Sequence, residues 1–185
     1  MTKAQLTVLA GPTAVGKGTV VAALTKRYPA LKVSVSATTR DPRPGELSGV
    51  HYYFVSPQEF DAMIERGDML EWALVHGKNK YGTPRGPVDE ALNAGNPVLL
   101  EIDLAGARQV RANRPDAQFI FLAPPSWEEL QRRLIGRGTE GPEEQARRLA
   151  TARVELEAAS EFDHVVINDD VERAVDELAR LIGLE

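Results

Sequence analysis

Nine residues near the start of the chain, Gly11-Pro12-Thr13-Ala14-Val15-Gly16-Lys17-Gly18-Thr19, have the spacing G-x-x-x-x-G-K. Residues of these types can bind phosphate. The glycines let the backbone wrap so that its N–H groups converge on phosphate oxygens. Lys17 can reach the β- and γ-phosphates, and a helix starting here points its positive dipole end at them. Gly18 stands where the general pattern has a serine or threonine, so the hydroxyl is displaced to Thr19. Ala14 costs the loop some flexibility relative to a glycine but removes no donor. A second constellation is Arg40 and Arg43, three residues apart in a loop stiffened by Pro42 and Pro44. Two guanidinium groups so held can fork onto a phosphate. A third is the arginine set Arg133, Arg137, Arg147, Arg148 and Arg153 around the break Gly136–Gly141. A salt-bridged helix face accounts for Arg132, Arg147 and Arg153, whereas Arg137 lies between glycines, as suits a moving lid.

The elements that must position these groups follow from patterning. Gln5–Ala10 reads as a strand before the loop, and Thr19–Tyr28 as the helix after it, stopped by Pro29. That order separates a phosphate loop from a chance glycine turn. A strand is expected over 31–37, a structured loop over 40–49, a strand over 50–55, and a helix from Ser56, whose S-P-Q-E run has a cap and a proline at the first position. A strand over 69–76, a hairpin-like turn over 77–83 and a short helix over 87–93 come next. Buried strands are expected at 97–103 and 118–122, helices at 104–113, 126–134 and 142–160, a last strand at 164–168 and a last helix at 171–182. Strands alternate with helices outside 40–85, the pattern of a parallel sheet covered on both faces. Segment 40–85 reads as an insertion.

Composition narrows the function. The chain has 185 residues, 43% hydrophobic and 26% charged, with a net charge of −5. These are ordinary proportions for one domain. With no cysteine there is no disulfide framework, thiolate metal site or cysteine nucleophile. Three scattered histidines make a zinc site improbable. No apolar run reaches the ~20 residues of a membrane span, and the start reads as a strand rather than a signal peptide. The expected setting is therefore the cytosol. The acidic balance argues against a nucleic-acid partner. Residues 1–43 nevertheless carry 7 basic and 1 acidic side chains, and residues 108–153 carry 9 and 6, which suggests local anion sites.

Beyond the phosphate loop, the runs SVSATTRDPRPGE (34–46), HYYFV, EWA (71–73), YGTP (81–84), EIDLAG (101–106), RLIGRGTE (133–140) and RRL (147–149) resemble guanylate kinase, a P-loop nucleoside monophosphate kinase family, over essentially the whole chain. The resemblance implies an α/β fold: a P-loop NTPase-type parallel sheet covered by helices, with an inserted mixed-strand GMP-binding subdomain and a small helical lid. The single domain would divide into a core of 1–37, 86–132 and 155–185, a GMP-binding subdomain of 38–85 and a lid of 133–154. Arg40, Arg43, Tyr52 and Tyr81 would hold the GMP phosphate. Glu71, Asp103, Ser36 and Thr83 would read the base, because guanine offers N1–H and N2–H side by side and a carboxylate accepts both. Lys17, Arg43, Arg137 and Arg148 would be catalytic. ATP would lie on Gly11–Thr19, Arg133 and Arg137, with Asn168 near the adenine. The family usually has a glutamine where Ala105 stands.

The reaction so implied is ATP + GMP → ADP + GDP. The GMP phosphate is largely a dianion at neutral pH, with a second pKa near ~6, so no general base is required. Mg²⁺ is expected as cofactor, held by phosphates and water with no direct protein ligand and with Asp103 or Glu101 nearby. The partners are the small molecules ATP and GMP, with dGMP as an additional acceptor, and neither membrane nor nucleic acid. A monomer or a homodimer is expected. A phosphopeptide-reading module of the same ancestry predicts a damaged phosphate loop. A sugar-phosphate kinase predicts no guanine-reading glutamate. Lys17 and Glu71 argue against each in turn.

Overall fold

The computed structural model describes residues 4–136 and 138–185. In chain order its elements are β1 (Leu6–Ala10), α1 (Lys17–Arg27), β2 (Lys32–Val33), β3 (Ala37–Thr38), β4 (Tyr53–Phe54), α2 (Pro57–Glu65), β5 (Met69–Val75), β6 (Asn79–Pro84), α3 (Arg85–Asn93), β7 (Val98–Glu101), α4 (Leu104–Asn113), β8 (Gln118–Ala123), α5 (Trp127–Ile135), α6 (Pro142–Glu157), β9 (His164–Ile167) and α7 (Val171–Ile182). A 3-10 turn, Ala158–Glu161, closes the end of α6.

Five strands form a parallel sheet in the order β2-β7-β1-β8-β9. All five residues of β1 are buried, as a central parallel strand covered on both faces requires. Successive side chains of β1 enter different layers. Leu9 joins the cluster with Val20, Leu24, Val175 and Leu178 from α1 and α7. Leu6, Val8 and Ala10 join Val88, Ala107 and Val110 from α3 and α4. Four helix starts are capped by side chains: Ser56, Asp103, Ser126 and Asp170 each accept from the backbone N–H three residues on.

A second sheet has the order β4-β3-β6-β5, with β3 and β4 parallel and the other pairs antiparallel. Its small core is Ala37, Phe60 and Met69, with Trp72 packed against it. The strand expected over 31–37 is divided between the two sheets. Lys32 and Val33 pair with β7, while Ala37 and Thr38 pair with β4 and β6. Alternating polarity reports burial but not which partner strand supplies it, so the break is invisible in sequence. The strand expected over 50–55 shrinks to two residues. The expected turn over 77–83 is instead mostly β6, and the reversal is confined to residues 76–78, with His76 and Gly77 at positive φ (53° and 65°). A separate cluster of Leu130, Leu134 and Ala152 joins α5 to α6.

Gly82 lies between β3 and β5 where no side chain fits. A Cβ there would stand 2.7 Å from the Glu71 carbonyl oxygen and 2.9 Å from Trp72 Cβ. Gly82→Ala should therefore destabilise the protein by about 1–3 kcal/mol through overpacking, read as a lower midpoint in urea with an unchanged slope. A midpoint equal to wild type would show that β5 and β6 can separate freely.

Candidate active site

The carboxyl ends of β1 and β7 open onto one edge of the parallel sheet, and the loop 11–16 leaves β1 there. Gly11 is required by its neighbour: a Cβ would meet the Leu122 carbonyl oxygen at 2.4 Å. Gly16 has φ 96° and Ala14 φ 70°. The left-handed state costs alanine about 1–2 kcal/mol, so Ala14 carries strain rather than only reduced flexibility. Thr13, Ala14, Gly18 and Thr19 are exposed, while Gly11, Pro12 and Val15 are buried. The loop is buttressed from below. The Val15 carbonyl accepts from Asn168 Nδ2 at 2.8 Å and from Arg133 Nη1 at 3.2 Å. Arg133 is also braced by Glu129, one turn earlier on α5. Asn168, read in sequence as a nucleotide contact, is buried against the loop's own backbone.

Lys17 Nζ donates to the Gly11 carbonyl at 3.1 Å and to the Ile102 carbonyl at 3.5 Å. Burial pushes its pKa below the ordinary lysine range, against the opposing pull of Glu101, Glu155 and Asp103. Residues 12–18 and Glu101 line a cavity of about 410 Å³. Glu155, on α6, has no role in the sequence reading. Its carboxylate lies near Thr13 and Lys17, and burial pushes its pKa up against the pull of Lys17. Nothing in a long Arg/Glu/Ala-rich helix marks which glutamate faces the loop. Arg148 pairs with Glu140 and lines, with Thr13, Arg147 and Glu155, a cavity of about 200 Å³ between α6 and the loop. Arg147 pairs with Glu144, and Arg153 stacks 4.1 Å from the Trp127 ring centre. Arg137 lies outside the described residues.

A second group gathers where β5 crosses α4. Glu71 is 9% exposed, and the Thr83 hydroxyl donates to its Oε1 at 2.8 Å. Burial pushes the Glu71 pKa up; the Thr83 bond opposes the shift and nearby Asp103 adds to it. A Cβ on Gly106 would lie 3.0 Å from Glu71 Oε2 and 3.3 Å from Asp103 Oδ1. Both carboxylates thus approach one bare Cα, and Asp103 also caps α4 through the Gly106 N–H at 2.9 Å. Ala105 is exposed on the first turn of α4. Ser36 lies on the link between the sheets, its carbonyl accepting from Tyr53 N–H.

The third group is the loop 40–46. Arg40 forks onto Glu46 at 2.8 and 3.0 Å, and the Arg43 N–H donates to the same carboxylate at 2.7 Å. The Arg40 guanidinium lies 5.2 Å from the Tyr52 ring centre, and the Tyr52 and Tyr81 rings meet at 5.9 Å. Arg43 is exposed. Glu46, which sequence reading leaves inside a motif without a task, sets the spacing of both arginines. Arg40, the Arg43 N–H and the desolvation that opposes them leave the Glu46 pKa at about 2. A depressed carboxylate pKa stabilises the fold above the unfolded value and is lost as pH falls. Glu46→Gln should therefore lower the unfolding midpoint at pH 7, and the gap from wild type should close between about pH 4.5 and about pH 2. A gap that stays constant over that range would exclude the ion pair as its source.

The guanylate kinase family model matches residues 3–185. A guanylate kinase of Leifsonia xyli subsp. xyli is 62% identical over 177 residues, covering 96% of this chain and 70% of that protein. One of Thermobifida fusca is 61% identical over 179 residues, covering 97% and 91%. The crystal structure of guanylate kinase from Anaplasma phagocytophilum superposes with a TM-score of 0.70 at 31% identity, covering 97% of this chain and 84% of that one. A phosphate loop, a buried glutamate beside Asp103 and an arginine-bearing loop, joined by these likenesses, lead to one statement: the chain belongs to the guanylate kinase family.

Proposed function

We propose that this family member phosphorylates GMP by direct in-line transfer of the ATP γ-phosphoryl group, with ATP on the loop 11–19 and GMP between the second sheet and α4. The observation that carries this reading is the convergence of Glu71 and Asp103 over Gly106, across from Lys17 on the same sheet edge. In the proposed division of labour, 38–85 is the GMP-binding subdomain and 133–154 the lid, the remainder being core. Arg40, Arg43, Tyr52 and Tyr81 hold the acceptor phosphate. Glu71 and Asp103 accept from guanine, with Thr83 orienting Glu71 and Ser36 completing the base site. Adenine, with a bare N1 at that position, is repelled, and such hydrogen-bonding sites discriminate by about 10⁴-fold.

The chemistry needs no side-chain base, because the acceptor oxygen is already anionic. The task is to bring two polyanions together. Lys17, Arg43, Arg137 and Arg148 supply positive charge around the transferred group. Asn168 and Arg133 support the nucleotide by holding the loop's shape. Closure of lid and GMP-binding subdomain would exclude water, which otherwise competes as acceptor. The donor set beside the loop, Glu101 and Asp103, is all oxygen and suits Mg²⁺. Phosphates and water supply most of its ligands in this reading. Bound Mg²⁺ supplies charge neutralisation. The proposed setting is the cytosol; among the described residues no helix is long and apolar enough to cross a membrane. dGMP is a further proposed acceptor.

A coupled ADP-release assay tests the reading. GMP with Mg-ATP should turn over, and AMP or ribose phosphates should not. Lys17→Ala and Arg43→Ala should each lower kcat by roughly 10²–10³-fold, the usual cost of losing one charge-stabilising donor. Near-normal turnover in either variant would remove that residue from its role.

A further inference from the structure

β5 is the outer strand of the second sheet, so one row of its peptide groups points away from β6 and needs other partners. They come from α4. Gln109 pairs with Trp72 in both directions: its Oε1 accepts from the Trp72 N–H at 3.0 Å, and its Nε2 donates to the Trp72 carbonyl at 2.9 Å. Asn113 Nδ2 donates to the Leu70 carbonyl at 2.9 Å. The two carboxamides thus grip the peptide groups on either side of Glu71 along the free edge. Glu71 itself is aligned with Thr83 on β6.

Gly106, Gln109 and Asn113 are spaced i, i+3 and i+7, one stripe of α4. At the top of the stripe Asp103 caps the helix, and the bare Cα of Gly106 lies beneath both carboxylates. A single rigid helix therefore carries one carboxylate and clamps the strand that carries the other. We propose that Gln109 and Asn113 are positioning residues for base recognition: by holding β5 against α4 they set the spacing of Glu71 from Asp103 and so the selectivity for guanine. This rests on the reading that Glu71 and Asp103 accept from the base. A misplacement of about 1 Å in such a site is enough to cost up to 10²-fold.

The test compares GMP with IMP, which keeps N1–H and the phosphate but lacks the 2-amino group. Wild type, Gln109→Met, Asn113→Leu and Glu71→Gln are assayed for kcat and KM with each acceptor and for KM of ATP. In Gln109→Met the GMP-to-IMP ratio of kcat/KM should fall about tenfold, roughly one well-placed hydrogen bond, with KM for ATP within about twofold of wild type. Asn113→Leu should move the ratio in the same direction, by less. Gln109→Glu keeps the acceptor for the Trp72 N–H and should recover part of the ratio; it also serves if Gln109→Met does not fold. If Glu71→Gln loses selectivity while the Gln109 and Asn113 variants keep the wild-type ratio, the positioning role is overturned and the base-reading role of Glu71 stands. Equal losses for GMP, IMP and ATP would reduce the clasp to a structural tie and also overturn the proposal. Unchanged selectivity in Glu71→Gln would remove the base-reading assignment itself.

Discussion

The parallel pairing of β1 with β7 on one side and β8 on the other is the constraint on which the rest depends. β1 is buried on both faces and its register is set along four residues against each neighbour. The strands run the same way, so their carboxyl ends open on one edge. There β1 releases the phosphate loop and β7 delivers Glu101, Ile102 and Asp103. Lys17 and Ile102 are 85 residues apart in the chain, but Lys17 bonds the Ile102 carbonyl directly. A crevice at the carboxyl edge of an open α/β sheet is where ligands gather, and the reason here is that parallel pairing leaves no other way to stack these loop ends.

Around that edge the protein manages charge of both signs. Lys17 is desolvated and surrounded by Glu101, Glu155 and Asp103. Arg40 is held by Glu46 and by the Tyr52 and Phe54 rings rather than left to water. Arg40 and Lys17 are therefore held before any phosphate arrives, so less ordering is required at binding. The acidic net charge is compatible with this because the basic groups are local.

The strand–helix alternation, the serine-capped helix starts at Ser56 and Ser126 and the buried strands near 98–101 and 118–123 were legible in sequence, since each is encoded within a short window. The phosphate loop and the arginine loop were legible for the same reason, their residues being consecutive. The division of 31–37 between two sheets was not, because Ser34–Ser36 look like any polar-apolar alternation. The shortness of β4 and the length of β6 were also hidden, since hairpin register depends on which residue turns, here His76 in a conformation it rarely adopts. Glu155, Glu46, Gln109 and Asn113 were missed as functional groups, because glutamates and carboxamides on helices and loops are ordinary surface residues until a partner is placed opposite them.

The sequence by itself determined the class of chemistry. A glycine-wrapped lysine and paired arginines specify positioned positive charge, and local spacing suffices for that. Only the tertiary structure decided how the site is aligned. Glu71 and Asp103 meet over Gly106 because an edge strand is clasped to a helix from another part of the chain. Glu155 reaches the phosphate loop because α6 folds back over it. Such distances are set by packing between elements far apart in sequence, and no local pattern records them.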